Sequence, residues 1–189
     1  KQNPALGIKR MGWQTVAGGV VAVWAKENSR EEIFAAFKRK EVYGTTGPRI
    51  GVRVYAGADI HEKDLALREF DDLAERGNVP MGGELVGLDC SPAFLIHTVK
   101  DPESGHLDRV QVIKGWIEDG RTYERIYNVA WAGDRKMDDN GKISPVPNTV
   151  DPTTARHNNE FGAASLSVVW RDPDFNPDIP SFYYVRVLE

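Results

Sequence analysis

The dipeptide Asp119-Gly120 constrains the fold most strongly, because it separates two long runs that alternate apolar and polar residues. The two runs cover residues 107–118 and 121–131. An Asp-Gly pair between such runs favours a two-residue turn with positive φ at both central residues, and this turn joins antiparallel strands. The sequence therefore predicts a long β-hairpin in this part of the chain.

A two-residue turn also fixes which residues of the hairpin face each other. It pairs Glu118 with Arg121 and creates one aromatic and apolar face. That face carries the pairs Trp116 with Tyr123, Val112 with Tyr127, and Val110 with Val129.

The same register places Lys114 directly opposite Arg125. Like charges across a β-ladder destabilise it, so this pair needs an explanation. A β-bulge could shift the register, or an anion or a carboxylate from elsewhere could lie between the two cations. Lys114 and Arg125 are therefore candidate anion-binding or substrate-binding residues.

Further strand patterns indicate that the chain is mainly β. They occur at residues 50–55, 93–99, 163–170 and 182–188. Helical spacing of apolar residues is limited to two short stretches, residues 30–40 and 64–76, and Gly77 follows the second as a helix C-cap. We therefore expect an α+β fold in which an antiparallel β-sandwich-like domain carries two short helices.

The first helix has a clear start signal. Ser29 and Glu32 form a capping box, in which each side chain can accept a hydrogen bond from the backbone N–H of the other residue. The preceding run at residues 19–25, GVVAVWA, is apolar throughout, which is typical of a strand buried on both faces of a parallel sheet or barrel. These features predict a βα unit. No parallel partner strand is evident within this chain, so the alternatives for residues 20–24 are exposure, pairing with another strand, or a crystal or dimer contact. Residues 1–18 are expected to pack against another domain.

Five stretches of the chain resemble one family in the same order. They are EEIFAAFKRKEVYGTTGPRI at 31–50, VPMGGEL at 79–85, VQVIKGW at 110–116, WRDPDF at 170–175 and FYYVRVLE at 182–189. The chain resembles the bacterial family catalogued as domain of unknown function 3604. That family is similar in turn to the PHP-type (polymerase and histidinol phosphatase) metal-dependent phosphoesterases.

The resemblance implies that this chain is the C-terminal part of a longer protein whose catalytic barrel lies upstream. Residues 1–48 would be a βα remnant of that barrel, and residues 49–189 a C-terminal antiparallel β-rich domain. Upstream His and Asp residues would bind divalent metals that activate water to attack a phosphorus ester. The present chain would hold no metal or cofactor, would be inactive alone, and would have the upstream catalytic domain as its partner. A homo-oligomer is an alternative assembly.

Composition excludes several classes of function. The chain has 28 acidic and 24 basic residues, a net charge of −4, so it lacks the basic field that nucleic-acid binding requires. No apolar run reaches the length of a membrane span. The one cysteine, Cys90, excludes an internal disulfide and is expected to be a small buried residue.

Two other places could bind an oxyanion. Thr45, Thr46 and Arg49 combine hydroxyls and a guanidinium with the free N–H groups of a Gly-Pro turn. The alternative for Arg49 is a pair with a carboxylate across the domain junction. His157 lies beside two asparagines in a loop and is a candidate polar site residue.

The sequence contains no motif that assembles a catalytic or metal centre. The four histidines have no metal-ligand spacing, and no nucleophile sits beside a plausible base. Asp172, Asp174, Asn176 and Asp178 alternate along a proline-rich loop, where they either bind a cation weakly or remain solvated.

The tryptophans raise a different class of function. Exposure of Trp116, Trp131 and Trp170 on a common face would indicate a carbohydrate-binding module, whereas burial would indicate core residues. A purely structural domain that stabilises the barrel is the third alternative.

Overall fold

The computed structural model describes residues 18–67, 71–154 and 156–189. The described residues form mainly antiparallel β-sheets with two short α-helices, so the predicted β-rich α+β class is confirmed. The strands are β1 (Val20–Val23), β2 (Val42–Thr45), β3 (Gly51–Gly57), β4 (Val79–Pro80), β5 (Ala93–Val99), β6 (Arg109–Glu118), β7 (Arg121–Trp131), β8 (Ser165–Arg171) and β9 (Ser181–Leu188). The helices are α1 (Arg30–Arg39), a 3-10 helix (Glu62–Ala66) and α2 (Asp71–Glu75).

Two sheets pack face to face around the main core. The first has the strand order β4-β3-β5-β8 and the second β7-β6-β9. Phe94 and Ile96 of β5 pack against Val110 and Val112 of β6, and all four are buried. Antiparallel sheets with one apolar face reach this arrangement because each sheet must cover that face.

A second core lies on the opposite face of the four-stranded sheet. Tyr55 and Leu95 point to this face, where Ile60 and Leu73 from the helical segment cover them. The predicted continuous helix at 64–76 is wrong, because Leu67 is extended, with ψ 133°, and separates the 3-10 helix from α2. The C-cap prediction is confirmed, because Gly77 has φ +80°.

The β6–β7 hairpin has the predicted turn and nearly the predicted register. Asp119 and Gly120 have φ of 51° and 72°, and the pairs from Glu118–Arg121 to Val112–Tyr127 are as expected. Val110 faces Ala130 instead of Val129, because a β-bulge lies between Val110 and Gln111.

The N-terminal unit, which we define as β1, α1 and β2, corrects one prediction. The apolar run that forms β1 is not a strand buried on both faces of a parallel sheet; it pairs antiparallel with β2, and Val20 and Val21 are exposed. Helix α1 is confirmed: Ser29 Oγ accepts from Glu32 N, and Lys40 caps the end in the left-handed region with φ 60°.

The N-terminal unit contacts the sandwich through an aromatic residue. Trp24 Nε1 donates to the carbonyl of Val52 at 2.8 Å, and the Arg53 guanidinium lies 4.5 Å from the centre of the indole ring. The expected packing of residues 1–18 concerns a segment that, except for Gly18, lies outside the described residues. The division into segments 1–48 and 49–189 stays a prediction.

Candidate functional site

A cleft of about 820 Å³ opens between β3 of one sheet and β9 of the other. Its floor consists of the side chains of Val52, Val54 and Ala56 on β3, with Phe94 and Val112 at its inner end. Two loops and the N-terminal unit wall the cleft. The lining residues are 79–85 from β4 and the loop after it, 175–177, 179 and 180 from the loop before β9, and Lys40, Val42 and Tyr43 from the N-terminal unit.

Gly82 sets the distance between the N-terminal unit and the cleft wall. It has φ +79°, and a Cβ built there would lie 2.3 Å from the Cβ of Lys40 and 2.5 Å from its carbonyl oxygen. Glycine is needed for both reasons, because a side chain would be strained in this conformation and would collide with the Lys40 backbone. The VPMGG turn therefore lets α1 end directly against the rim of the cleft.

A buried ion pair lies beside the cleft. Lys114 Nζ is 2.6 Å from Asp172 Oδ2 and donates a second hydrogen bond to the Asp174 carbonyl at 2.7 Å. The side chains of Lys114 and Asp172 are only 5% and 0% exposed. Asp172 Oδ2 also accepts from the hydroxyl of Tyr183, and its Oδ1 accepts from Asp174 N. The buried charges are thus paired and hydrogen-bonded, as a low-dielectric environment requires.

A second, more exposed pair continues this network. Arg125 Nη1 lies 2.9 Å from Asp174 Oδ2, which also accepts from the hydroxyl of Tyr127 at 2.6 Å. The apparent repulsion between Lys114 and Arg125 is therefore relieved by carboxylates of the chain itself, one of the arrangements that the sequence left open. Each cation has its own aspartate from the segment that follows β8.

The network shifts the ionisation of its two tyrosines. Burial raises the pKa of Tyr183, and the hydrogen bond to Asp172 and the charge of that carboxylate raise it further. Burial also raises the pKa of Tyr127, together with its hydrogen bond to Asp174. A phenol is already neutral at neutral pH, and the raised pKa values keep both hydroxyls as hydrogen-bond donors at higher pH as well.

The turn from Thr45 to Arg49 makes its hydrogen bonds within itself and with Asp101. Thr45 Oγ1 accepts from Gly47 N at 3.3 Å, Arg49 N donates to Asp101 Oδ2 at 2.6 Å, and Thr46 is exposed. The backbone N–H groups of Arg49 and Glu103 lower the pKa of Asp101. The Arg49 guanidinium is largely exposed and lies 3.5 Å from Glu103. The carboxylates of Asp101 and Glu103, from the connection between β5 and β6, therefore lie beside this turn, where the sequence predicted an oxyanion.

The structure brings Lys114 and Arg125 together across the hairpin, and Thr45, Thr46 and Arg49 stay together on their own turn. His157 is exposed on the loop after the Asp151–Arg156 bridge. The anion-binding role of the six residues stays a prediction. Among the described ranges, no group of three or more His, Cys, Asp or Glu side chains is arranged to hold a metal. Cys90 is exposed, so the expectation that it is buried is wrong.

The tryptophans do not share an exposed face. Trp116 stacks on Tyr123 at 5.4 Å, and Trp170 packs against Phe94 and Tyr127 between the sheets. Trp131 pairs with Arg109 on the other face of the hairpin, and its Nε1 donates to the Arg135 carbonyl. All three indoles are half-buried, which favours the interpretation that they are core residues.

Tyr127 and Tyr183 are the site residues that sequence reasoning missed. The signal was present for Tyr127, because the hairpin register places it on the same face as Lys114. Tyr183 could be found only through the pairing of β9 with β6, which joins residues far apart in the sequence.

Comparison with known proteins identifies the family but no activity. The family model described as "Protein of unknown function (DUF3604)" matches residues 1–189. Neither the curated proteins nor the solved structures gave a match. No helix in the described part of the chain has the length and apolar character to cross a bilayer. The chain belongs to the DUF3604 family.

Proposed function

We propose that this DUF3604 chain is a non-catalytic accessory domain that docks, through its N-terminal unit, onto the catalytic part of a PHP-like metal-dependent phosphoesterase. The observation that carries the proposal is the apolar surface of that unit. The exposed apolar residues are Phe34 and Phe37, three residues apart on α1, and Val20 and Val21, which point to opposite faces of β1. We call these residues the docking surface.

The N-terminal unit is too small to bury this surface by itself. It consists of a ten-residue helix and two four-residue strands, and Ala36 is the one fully buried residue of the helix. A two-stranded sheet of this size is marginal in water unless another element covers it. Fully burying a Phe or Val side chain contributes about 1.5–3 kcal/mol. These four side chains are each about half-exposed, so covering them would contribute roughly half of that value per residue.

The charged groups beside the cleft support a non-catalytic role. Lys114 and Asp172 neutralise each other in a buried pair, and Arg125 is paired with Asp174. A substrate phosphate would have to break these pairs and leave a buried carboxylate without its cation, which costs several kcal/mol. The network therefore fits a role in holding the segment after β8 in place. The metal-activated water of the proposed reaction belongs to the upstream part, as the family resemblance implies.

Docking can be tested by adding this chain to the separately expressed upstream part of the parent protein. We expect isothermal titration calorimetry to give a stable complex, and the double substitution Phe34→Glu/Phe37→Glu to weaken it at least tenfold. Ile117→Glu is the matched control. Ile117 is 64% exposed and Phe34 59%, but Ile117 lies at the tip of the hairpin. Docking through α1 is wrong if the double variant binds as tightly as the parent chain.

The catalytic half of the proposal needs a separate assay. The chain alone, with Mn²⁺ or Zn²⁺ and p-nitrophenyl phosphate, should release no p-nitrophenol above the rate of the metal alone. Turnover at an enzymatic rate that follows the chain through two unrelated purification steps would overturn the non-catalytic assignment. Phosphatase activity in the upstream part alone would support the assignment of chemistry to that part.

A further inference from the structure

Strand β9 forms the edge of the three-stranded sheet beside the cleft. It pairs with β6 along its whole length, from Ser181 to Leu188. Within the described ranges, no other strand pairs with it. The strand contains no proline and no bulge, and its one charged side chain, Arg186, is bonded to Gln111. Edge strands normally carry such protective features, because unprotected ones recruit another strand.

The hairpin turn determines which backbone groups of β9 point away from β6. Residues that flank a two-residue turn exchange both backbone hydrogen bonds, and such pairs alternate with non-bonded ones along the ladder. Glu118 and every second residue before it therefore bond to β7, whereas the residues between them bond to β9. The β9 partners of these intervening residues are Phe182, Tyr184 and Arg186. The N–H and C=O groups of Tyr183, Val185 and Val187 consequently point away from the sheet.

The opposite sheet extends one strand further than β9. The two sheets stack with β8 near β7, β5 over β6, and β3 over β9. Strand β4 and the loop that follows it therefore extend past the edge of β9, and we call this part of the first sheet the overhang. The apolar side chains of Val52, Val54 and Ala56 face the cleft below this overhang.

We propose that an extended polypeptide segment with apolar residues at alternate positions binds in this cleft as a fourth strand beside β9. Its backbone would bond to Tyr183, Val185 and Val187. Every second side chain would then enter the cleft, because side chains of a strand alternate between the two faces. The segment would complete a four-on-four sandwich. This inference is independent of the docking surface on the N-terminal unit.

Two other occupants fit the geometry less well. A volume of about 820 Å³ suits a small apolar ligand, but such a ligand would make no hydrogen bonds to the outward backbone groups of β9. In a dimer that pairs β9 with β9 about a two-fold axis, the second copy's β3 would lie over the second copy's β9. It would collide there with β4 of the first copy, which extends into the same space. A single extended segment satisfies the backbone groups and fits below the overhang.

The probe is a fluorescein-labelled peptide of sequence KTVTVTVK, measured by fluorescence anisotropy with the full chain. The matched control is a peptide of the same sequence in which every second backbone nitrogen carries a methyl group. The methylated nitrogens are those on the peptide edge that would face β9. We expect the unmodified peptide to bind and N-methylation to weaken binding at least tenfold. On the protein side, Val187→Pro removes an outward N–H without removing a bond to β6. It should weaken binding at least tenfold.

Thr122→Pro is the control variant, because it removes an outward N–H from β7 at the opposite edge of the same sheet. It should bind the peptide like the parent chain. Near-ultraviolet circular dichroism of Val187→Pro verifies its fold, and the N-methylated peptide tests the same bonds without a protein variant. The proposal is overturned if both peptides bind equally, or if neither binds at millimolar concentration. Binding of dodecanoate alone would indicate a small-ligand site, and a dimer that Val187→Pro dissociates would indicate a second copy; either overturns it.

Discussion

Replacing Lys114 by Met should destabilise the fold strongly. Met keeps most of the unbranched side chain but removes the ammonium group and with it the bonds to Asp172 Oδ2 and to the Asp174 carbonyl, at 2.6 and 2.7 Å. The Asp172 carboxylate, which is 0% exposed, would keep only the Tyr183 hydroxyl and the Asp174 N–H as partners. Breaking a buried pair by removing one partner costs about 3–5 kcal/mol.

Urea unfolding followed by tryptophan fluorescence measures this loss directly. Lys114 Nζ lies 5.6 Å from the Trp116 ring, so the emission also reports the local change. In a chain of this size each kcal/mol corresponds to about 2–4 °C in Tm, so a fall of roughly 6–20 °C is expected. The variant Lys114→Met/Asp172→Asn should recover at least half of the lost free energy, because it removes the unpaired charge.

Arg125→Met provides the matched control from the same cross-strand pair. Arg125 and Asp174 are 57% and 42% exposed, and ion pairs in water contribute about 0–1 kcal/mol. The two substitutions therefore differ mainly in burial. A loss below 1 kcal/mol for Lys114→Met, or equal losses for both variants, would refute the reasoning.

Two further stability predictions follow from particular contacts. Gly57→Ala places a Cβ 1.9 Å from Oδ1 of the buried Asn78 and should cost about 1–3 kcal/mol in urea unfolding, whereas Gly51→Ala, whose nearest contacts are at 3.9 Å, should be near neutral. The raised pKa of Tyr183 means that its stabilisation is complete below about pH 10, the pKa of an unfolded tyrosine, and is lost at higher pH. Tyr183→Phe should therefore flatten the fall in stability between pH 10 and 12; an unchanged slope would show that the phenol next to Asp172 contributes nothing to it.

Local chemistry explains why parts of the fold could be predicted. Asp119 and Gly120 determined the turn and most of the hairpin register, because a two-residue loop allows a single register of the two strands. The like-charge pair of Lys114 and Arg125 indicated either a β-bulge or a nearby anion or carboxylate, and the structure has the carboxylate. Its source could not be inferred, because Asp172 reaches Lys114 across 58 residues of sequence.

The errors come from features that depend on distant contacts. The apolar run of β1 suggested burial on both faces, but apolar composition does not distinguish a buried strand from an exposed apolar one. The helix predicted at 64–76 has suitable spacing, yet Leu67 is extended where Ile60 and Leu73 must both reach the sheet. The bulge at Val110 left no sequence signal that distinguishes it from regular pairing.

Hydrogen–deuterium exchange tests the central claim, docking through the N-terminal unit, most directly. Exchange of the 189-residue chain alone should be compared with exchange of the same residues within the parent protein. We predict that amides of Val20–Val23 and Arg30–Arg39 are strongly protected in the parent protein and exchange rapidly in the isolated chain, while Ala93–Val99 is equally protected in both. Equal exchange of α1 in the two samples would contradict the account.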